Sequence, residues 1–212
     1  MEERLNDLTV RALVERLATS DPVPGGGSAA AIAGAMSAAL VHMVVELTIG
    51  RPAAEGHEVV LARIGATATH AQSELLNLAE LDAHAYAAVV HARRLPRETE
   101  RDREARNVQI AGTVREATRI PLTTARSASE VLDLAGELAP IGNANAISDV
   151  GVAALLAVTA LRGAALNVAI NLPYVSEDDP LRDEASTESD RLLANVDGRE
   201  QAIRDVVAER LR

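Results

Sequence analysis

The 212 residues include no cysteine, tryptophan or phenylalanine, and only two tyrosines. Without cysteine there is no disulfide frame, no thiolate nucleophile and no Cys-ligated zinc or iron–sulfur site. Positive charge is also short, with 21 basic against 31 acidic residues and a formal charge of −10. Such a surface repels phosphate backbones, and no aromatic–basic interleaving offers bases a platform, so nucleic-acid binding is not expected. The opening MEERLNDLTV lacks a basic stretch followed by an apolar core. No signal peptide is therefore expected, and a cytoplasmic location is the default. Strand patterns with alternating Val, Ile and Thr are missing throughout.

Alanine is what the chain has in excess, at 41 residues. It is the strongest helix former, and its small side chain lets helix backbones approach closely. The expectation is an all-α bundle of about six or seven helices forming a single domain over residues 1–212. Apolar positions Leu5, Leu8, Ala12, Leu13 and Leu17 predict a helix over 2–19. SDPVPGGGS then breaks it. A helix apolar on nearly every face is predicted from Ser28 to about Gly50. That stretch is long enough to span a bilayer. It contains His42 and Glu46, however, and lacks basic flanks. Its small residues Ala30, Gly34, Ser37 and Ala38 suit a tightly packed centre, so no membrane association is expected.

A long helix follows over 55–94 and a charged one over 98–118. Pro121 is expected in the first turn of a further helix ending near Ala139. The turn-rich IGNANAISD leads to a second apolar helix over 149–171. The tail 177–212 holds 11 acids and six arginines, a net −5, and reads as helical. Two nearly all-apolar helices exceed what a monomer of this size needs at its centre, so a homodimer is expected.

Five features can carry chemistry. Gly25, Gly26 and Gly27 enter an apolar helix, where free N–H groups and the helix dipole suit an anion. Alternatively they form a flexible turn with Ser28 as N-cap. Asp82 lies among Leu81, Ala83, Ala85, Ala87 and Ala88, one turn before Tyr86. A poorly solvated carboxylate there has a raised pKa and suits proton transfer, unless it simply faces solvent. His70, His84 and His91 share a stripe, but neighbours spaced about 10.5 Å apart or more along a helix cannot share one metal ion. No metal site is expected. Arg93, Arg94 and Arg97 cluster around Pro96, where a polycarboxylate can be held. Asn143 and Asp149 flank a tight connection, and Asn167 and Asn171 sit one turn apart, serving either a helix end or a ligand.

Together these segments resemble the cyclodeaminase/cyclohydrolase family. That family joins the C-terminal domain of formiminotransferase-cyclodeaminase to the stand-alone bacterial methenyltetrahydrofolate cyclohydrolases. The likeness runs over about residues 20–172, through PVPGGGSAAAIAGAM, ELTIG, DAHAYAAV, LPRET, ATRIPL, GNANAISDVGVAALLA and GAALNVAINL. It implies an all-α homodimer that binds folate between helices without metal or redox cofactor. It also implies that Asp82 is the catalytic carboxylate. Arg97 matches a basic position that is usually lysine in the family, and Tyr86 a position often Phe. The substrate-binding candidates are accordingly Gly25, Gly26, Gly27, Ser28, Tyr86, Arg97, Asn143, Asp149 and Asn167. Where relatives continue past Thr-Ile-Gly with several lysines and a tyrosine, this chain has Arg51-Pro52-Ala53-Ala54, a change that bears on ligand affinity if that loop holds the folate.

Two reactions follow from the resemblance. A cyclohydrolase adds water to the bridging carbon of 5,10-methenyltetrahydrofolate. A cyclodeaminase closes 5-formiminotetrahydrofolate onto N10 with loss of ammonia. The hydrolysis is preferred, because the sequence shows no formiminotransferase segment and ISDVGVAALLAVTALRGAALNV looks closer to the bacterial cyclohydrolases. A helical dimer that binds folate without turning it over is the third possibility.

Overall fold

Small residues at the helix contacts determine how this chain packs. The computed structural model describes residues 4–212. Seven α-helices succeed one another among them: α1 (Val10–Leu17), α2 (Gly26–Thr48), α3 (Glu58–Arg93), α4 (Glu100–Leu138), α5 (Ile147–Asn171), α6 (Pro180–Leu193) and α7 (Val196–Arg210). No strand occurs among the described residues.

Helices α2 to α5 form an antiparallel four-helix bundle. Along α2 and α3, Gly27 meets Asp82, Gly34 meets Leu75, and Val45 meets Gly65, so the two run in opposite directions. Along α2 and α5, Ala30 meets Gly163 and Gly34 meets Ala160. The Ser37 hydroxyl donates to the Ala153 carbonyl at 2.7 Å, which satisfies a polar group buried in that seam. Ala31, Ala38, Ala125, Ala128, Ala157 and Ala160 are fully buried, and Leu61, Ile64, Leu75, Leu132 and Leu161 fill the space between them. Each such Leu or Ile contributes about 1.5–3 kcal/mol relative to exposure. The two most apolar segments, in α2 and around α5, have the length and hydropathy of a membrane span, yet 61% and 50% of their windows are buried inside the protein.

Three sequence-based boundaries change. The stretch expected as one helix over 2–19 divides into a short turn at Leu5–Asp7 and α1, because Thr9 accepts the Ala12 N–H and caps a new start. Its first residues, 1–3, lie outside the described residues. Ser28 is not the cap of α2, which begins at Gly26 with Gly25 before it. The helices expected over 98–118 and 121–139 are one helix, α4, with Pro121 inside it. Proline has no N–H for the carbonyl four residues earlier, which normally breaks a helix. Here the Asn171 side-chain amide, reaching across from α5, donates to the freed Ala117 carbonyl at 2.6 Å.

The acidic tail supplies α6 and α7, which lie against α4 and α5. Leu181, Ala185, Leu192, Ile203 and Val207 are its buried anchors. Arg210 donates to the Ala139 and Gly142 carbonyls at 2.5 and 2.6 Å, tying the last helix to the α4–α5 corner. At the other end of the chain, Leu5 is buried and the Asn6 N–H donates to the buried Glu80 at 2.8 Å, which fastens the leading segment to α3.

Candidate active site

One end of the bundle opens into a cavity of about 360 Å³. The start of α2, the second half of α3, the middle of α4 and the end of α5 each supply a wall, and Tyr174 closes one side. Its lining mixes apolar side chains, Val23, Ala83, Val89, Val114, Ala117 and Ile170, with polar groups that converge on it: Asp82, Tyr86, Arg93, Asn167 and Asn171. That is the usual make-up of a small-molecule site.

Asp82 is the acidic group in this lining. Residues 82, 86, 89 and 93 recur at helical spacing, so one face of α3 brings them all to the cavity. The Ser28 hydroxyl lies 3.0 Å from Asp82 Oδ2 and 3.0 Å from the Ala79 carbonyl, and the Ser28 backbone N–H also donates to the carboxylate. Glycine is required beside them. A Cβ placed on Gly27 would stand 2.2 Å from Asp82 Oδ1, well inside any tolerable contact. The carboxylate therefore sits directly on the first turn of α2, where unpaired N–H groups and the positive dipole end meet it. Burial pushes the Asp82 carboxyl above the ordinary aspartate range, and the two Ser28 hydrogen bonds oppose that rise without cancelling it. The result is a desolvated, oriented group able to accept and return a proton.

Asn167 donates to the Gly163 carbonyl of its own helix at 2.8 Å, with its amide facing Gly26 at the start of α2. Tyr86 is half-exposed at the cavity wall. The structure thus gathers Gly25, Gly26, Gly27, Ser28, Asp82, Tyr86 and Asn167 in one place.

Arg97, Asn143 and Asp149 are not gathered there. Helix α3 ends at Arg93, and Arg97 lies in the exposed turn beyond it. Asn143 works at a corner instead. Its side chain donates to the Leu47 carbonyl at 2.8 Å and accepts from the Asn145 N–H, while its own N–H donates to Thr48 Oγ1 at 2.9 Å. It joins the end of α2 to the start of α5. Asp149 lies in the first turn of α5, where a negative charge favours the helix dipole. The Arg51–Ala54 turn stands at the same far end of α2, about 33 Å along the helix from Gly26. In place of Arg97, the cation at the cavity is Arg93, whose guanidinium lies 4.9 Å from the centre of the Tyr174 ring. Its helical register with Asp82 is the sequence signal that identifies it. Among the described residues no three His, Asp or Glu side chains converge as metal ligands.

Comparison with known proteins bears on this site. Residues 9–191 match the family model described as formiminotransferase-cyclodeaminase. The chain is 38% identical over 203 residues to a methenyltetrahydrofolate cyclohydrolase of Methylorubrum extorquens, covering 96% of this chain and 97% of that one. It is 32% identical over 210 residues to the formimidoyltransferase-cyclodeaminase of Rattus norvegicus, covering 94% of this chain and 39% of that longer protein. The crystal structure of a formiminotetrahydrofolate cyclodeaminase from Thermotoga maritima superposes with a TM-score of 0.85 at 26% identity, covering 97% of this chain and 98% of the other.

Proposed function

Because the chain belongs to the formiminotransferase-cyclodeaminase family, we propose that it hydrolyses 5,10-methenyltetrahydrofolate to 10-formyltetrahydrofolate in the cavity beside Asp82. The observation that carries this reading is the desolvated Asp82 carboxylate, fixed by Ser28 at the wall of the cavity. The substrate presents a cationic N5–carbon–N10 amidinium. A carboxylate beside that cation stabilises it electrostatically and stands where attacking water must be deprotonated.

The step balances with this one group. Water adds to the bridging carbon while Asp82 accepts one of its protons. The tetrahedral adduct then breaks its carbon–N5 bond, and Asp82 returns that proton to N5. The remaining hydroxyl proton leaves to solvent as the formyl carbonyl forms. The reaction reads as free of metal or redox cofactor, since it needs only proton transfer and charge stabilisation.

The likeness to the Thermotoga cyclodeaminase supports a second reading, in which N10 attacks a 5-formimino carbon and ammonia leaves. The higher identity to a cyclohydrolase along nearly the full length of both chains favours hydrolysis. A paired assay separates them. Loss of near-ultraviolet methenyl absorbance, faster than the uncatalysed rate, supports the cyclohydrolase. Ammonia release from the formimino substrate alone supports the cyclodeaminase, and acceleration of neither leaves a folate-binding protein.

The reading includes a homodimer. Met36, Met43 and Leu47 of α2 and Val152, Leu155, Leu166 and Ile170 of α5 are exposed on two neighbouring helices. Apolar surface of this extent marks a contact with another chain.

A further inference from the structure

We propose that Arg93 is a specificity-determining residue that holds a carboxylate of the substrate's glutamate tail at the mouth of the cavity, an assignment that rests on the folate reading above. Among the residues lining the cavity, Asp82 is the one acid and Arg93 the one base. They share one face of α3, with Tyr86 and Val89 between them, and lie eleven residues apart, about 16 Å along the helix. Asp82 is largely buried, whereas Arg93 is exposed at the last turn of α3.

The two charges form an ordered pair, and the substrate carries the complementary order. Its amidinium cation lies at one end and its glutamate carboxylates at the other, with an uncharged p-aminobenzoyl ring between. The stretch between Asp82 and Arg93 is correspondingly uncharged, with Tyr86, Val89, Val114 and Ile170 lining it. Reversing the ligand would place its cation against Arg93 and its carboxylates against Asp82. The order of charge therefore selects one orientation, the one that brings the bridging carbon to Asp82.

Arg93 is also prepared for a carboxylate. Its guanidinium lies over the Tyr174 ring, a cation–π contact that leaves N–H donors for a planar anion. Of the neighbouring arginines, Arg103 pairs with Glu100 and Arg106 donates to the Arg93 carbonyl at 3.2 Å, bracing the end of α3, while Arg94 and Arg97 lie outside the cavity lining. Arg93 is the guanidinium of this cluster that lines the cavity.

The test compares 5,10-methenyltetrahydrofolate with the same compound carrying amides in place of both glutamate carboxylates, which removes the charge and keeps the shape. The wild-type protein is expected to show a KM about tenfold lower for the acid than for the diamide. Arg93→Gln is expected to erase the preference, bringing kcat/KM for the acid down to that for the diamide. Arg93→Lys is expected to recover part of the preference, since it keeps the charge and loses the fork. Equal changes on both compounds in Arg93→Gln, or no change on either, overturn the assignment. Failure of the wild-type protein to hydrolyse either compound refutes the cyclohydrolase reading instead. Equilibrium dialysis of the same two compounds against wild type and Arg93→Gln then decides the Arg93 assignment by itself.

Discussion

Gly27 and Asp82 touch so closely that Gly27 cannot gain a side chain while Asp82 stays in place. A methyl group at position 27 would occupy the space of the carboxylate, so Gly27→Ala has to push Asp82 off the first turn of α2. We expect kcat to fall about 100-fold, the cost of displacing a catalytic group by about an ångström. Turnover measured beside a thermal melt distinguishes this from unfolding. Asp82 also sets the pH profile. Burial raises its pKa, so on going from acid to neutral pH the carboxylate appears later than an ordinary aspartate would supply it. The form that accepts a proton is the ionised one, so kcat/KM should fall on the acid side, with a midpoint above that of a free aspartate. Asp82→Asn should retain folate binding, lose turnover and abolish that acid limb. A limb unchanged in the variant would exclude Asp82 from the proton transfer.

At the scale of elements, the joint between α4 and α5 is the instructive one. The Ala117 carbonyl, left without its helical partner by Pro121, depends on the Asn171 amide. Asn171→Leu removes the donor, and the stranded carbonyl should cost about 1–3 kcal/mol in chemical denaturation. Ala117 and Asn171 also line the cavity, so this variant is expected to weaken ligand binding as well. The joint also explains where sequence reasoning stopped. Proline, read locally, ends a helix. Its tolerance here rests on a side chain 54 residues along the chain from Ala117, and no local pattern carries that information. Asp82 was legible in a different way: its apolar neighbours Leu81, Ala83 and Ala85 made it a candidate, and the family resemblance singled it out. Arg93 and Arg97 were equally basic candidates, and only the end of α3 at Arg93 separates them. The Gly-Asn and Ser-Asp turns around residues 142–149 have a composition that suits both ligand loops and helix corners. Hydrogen bonds to Leu47 and Thr48 assign Asn143 to the corner.

At the scale of the molecule, the bundle is covered unevenly. The leading segment shields α3, and α6 and α7 shield α4 and α5, while one side of α2 and α5 presents methionine, leucine and valine to solvent. Light scattering is expected to give about twice the 22.3 kDa mass of one chain. Leu155→Arg, which places a charge in the middle of that side, should return the mass to that of one chain without lowering the melting temperature of the monomer. A single-chain mass for the unmodified protein at micromolar concentration would remove the dimer from the reading.

The cavity takes its walls from four separate helices, and its uncharged lining, Val23, Val89, Val114 and Ile170, comes from widely spaced parts of the chain. Bulk can therefore be added or trimmed at any one of these positions while the ionised groups at the two ends keep their places. The outline of an accepted ring system and the reactivity applied to it are governed by different residues, so a descendant of this protein can change its choice of ligand in small steps without relinquishing catalysis.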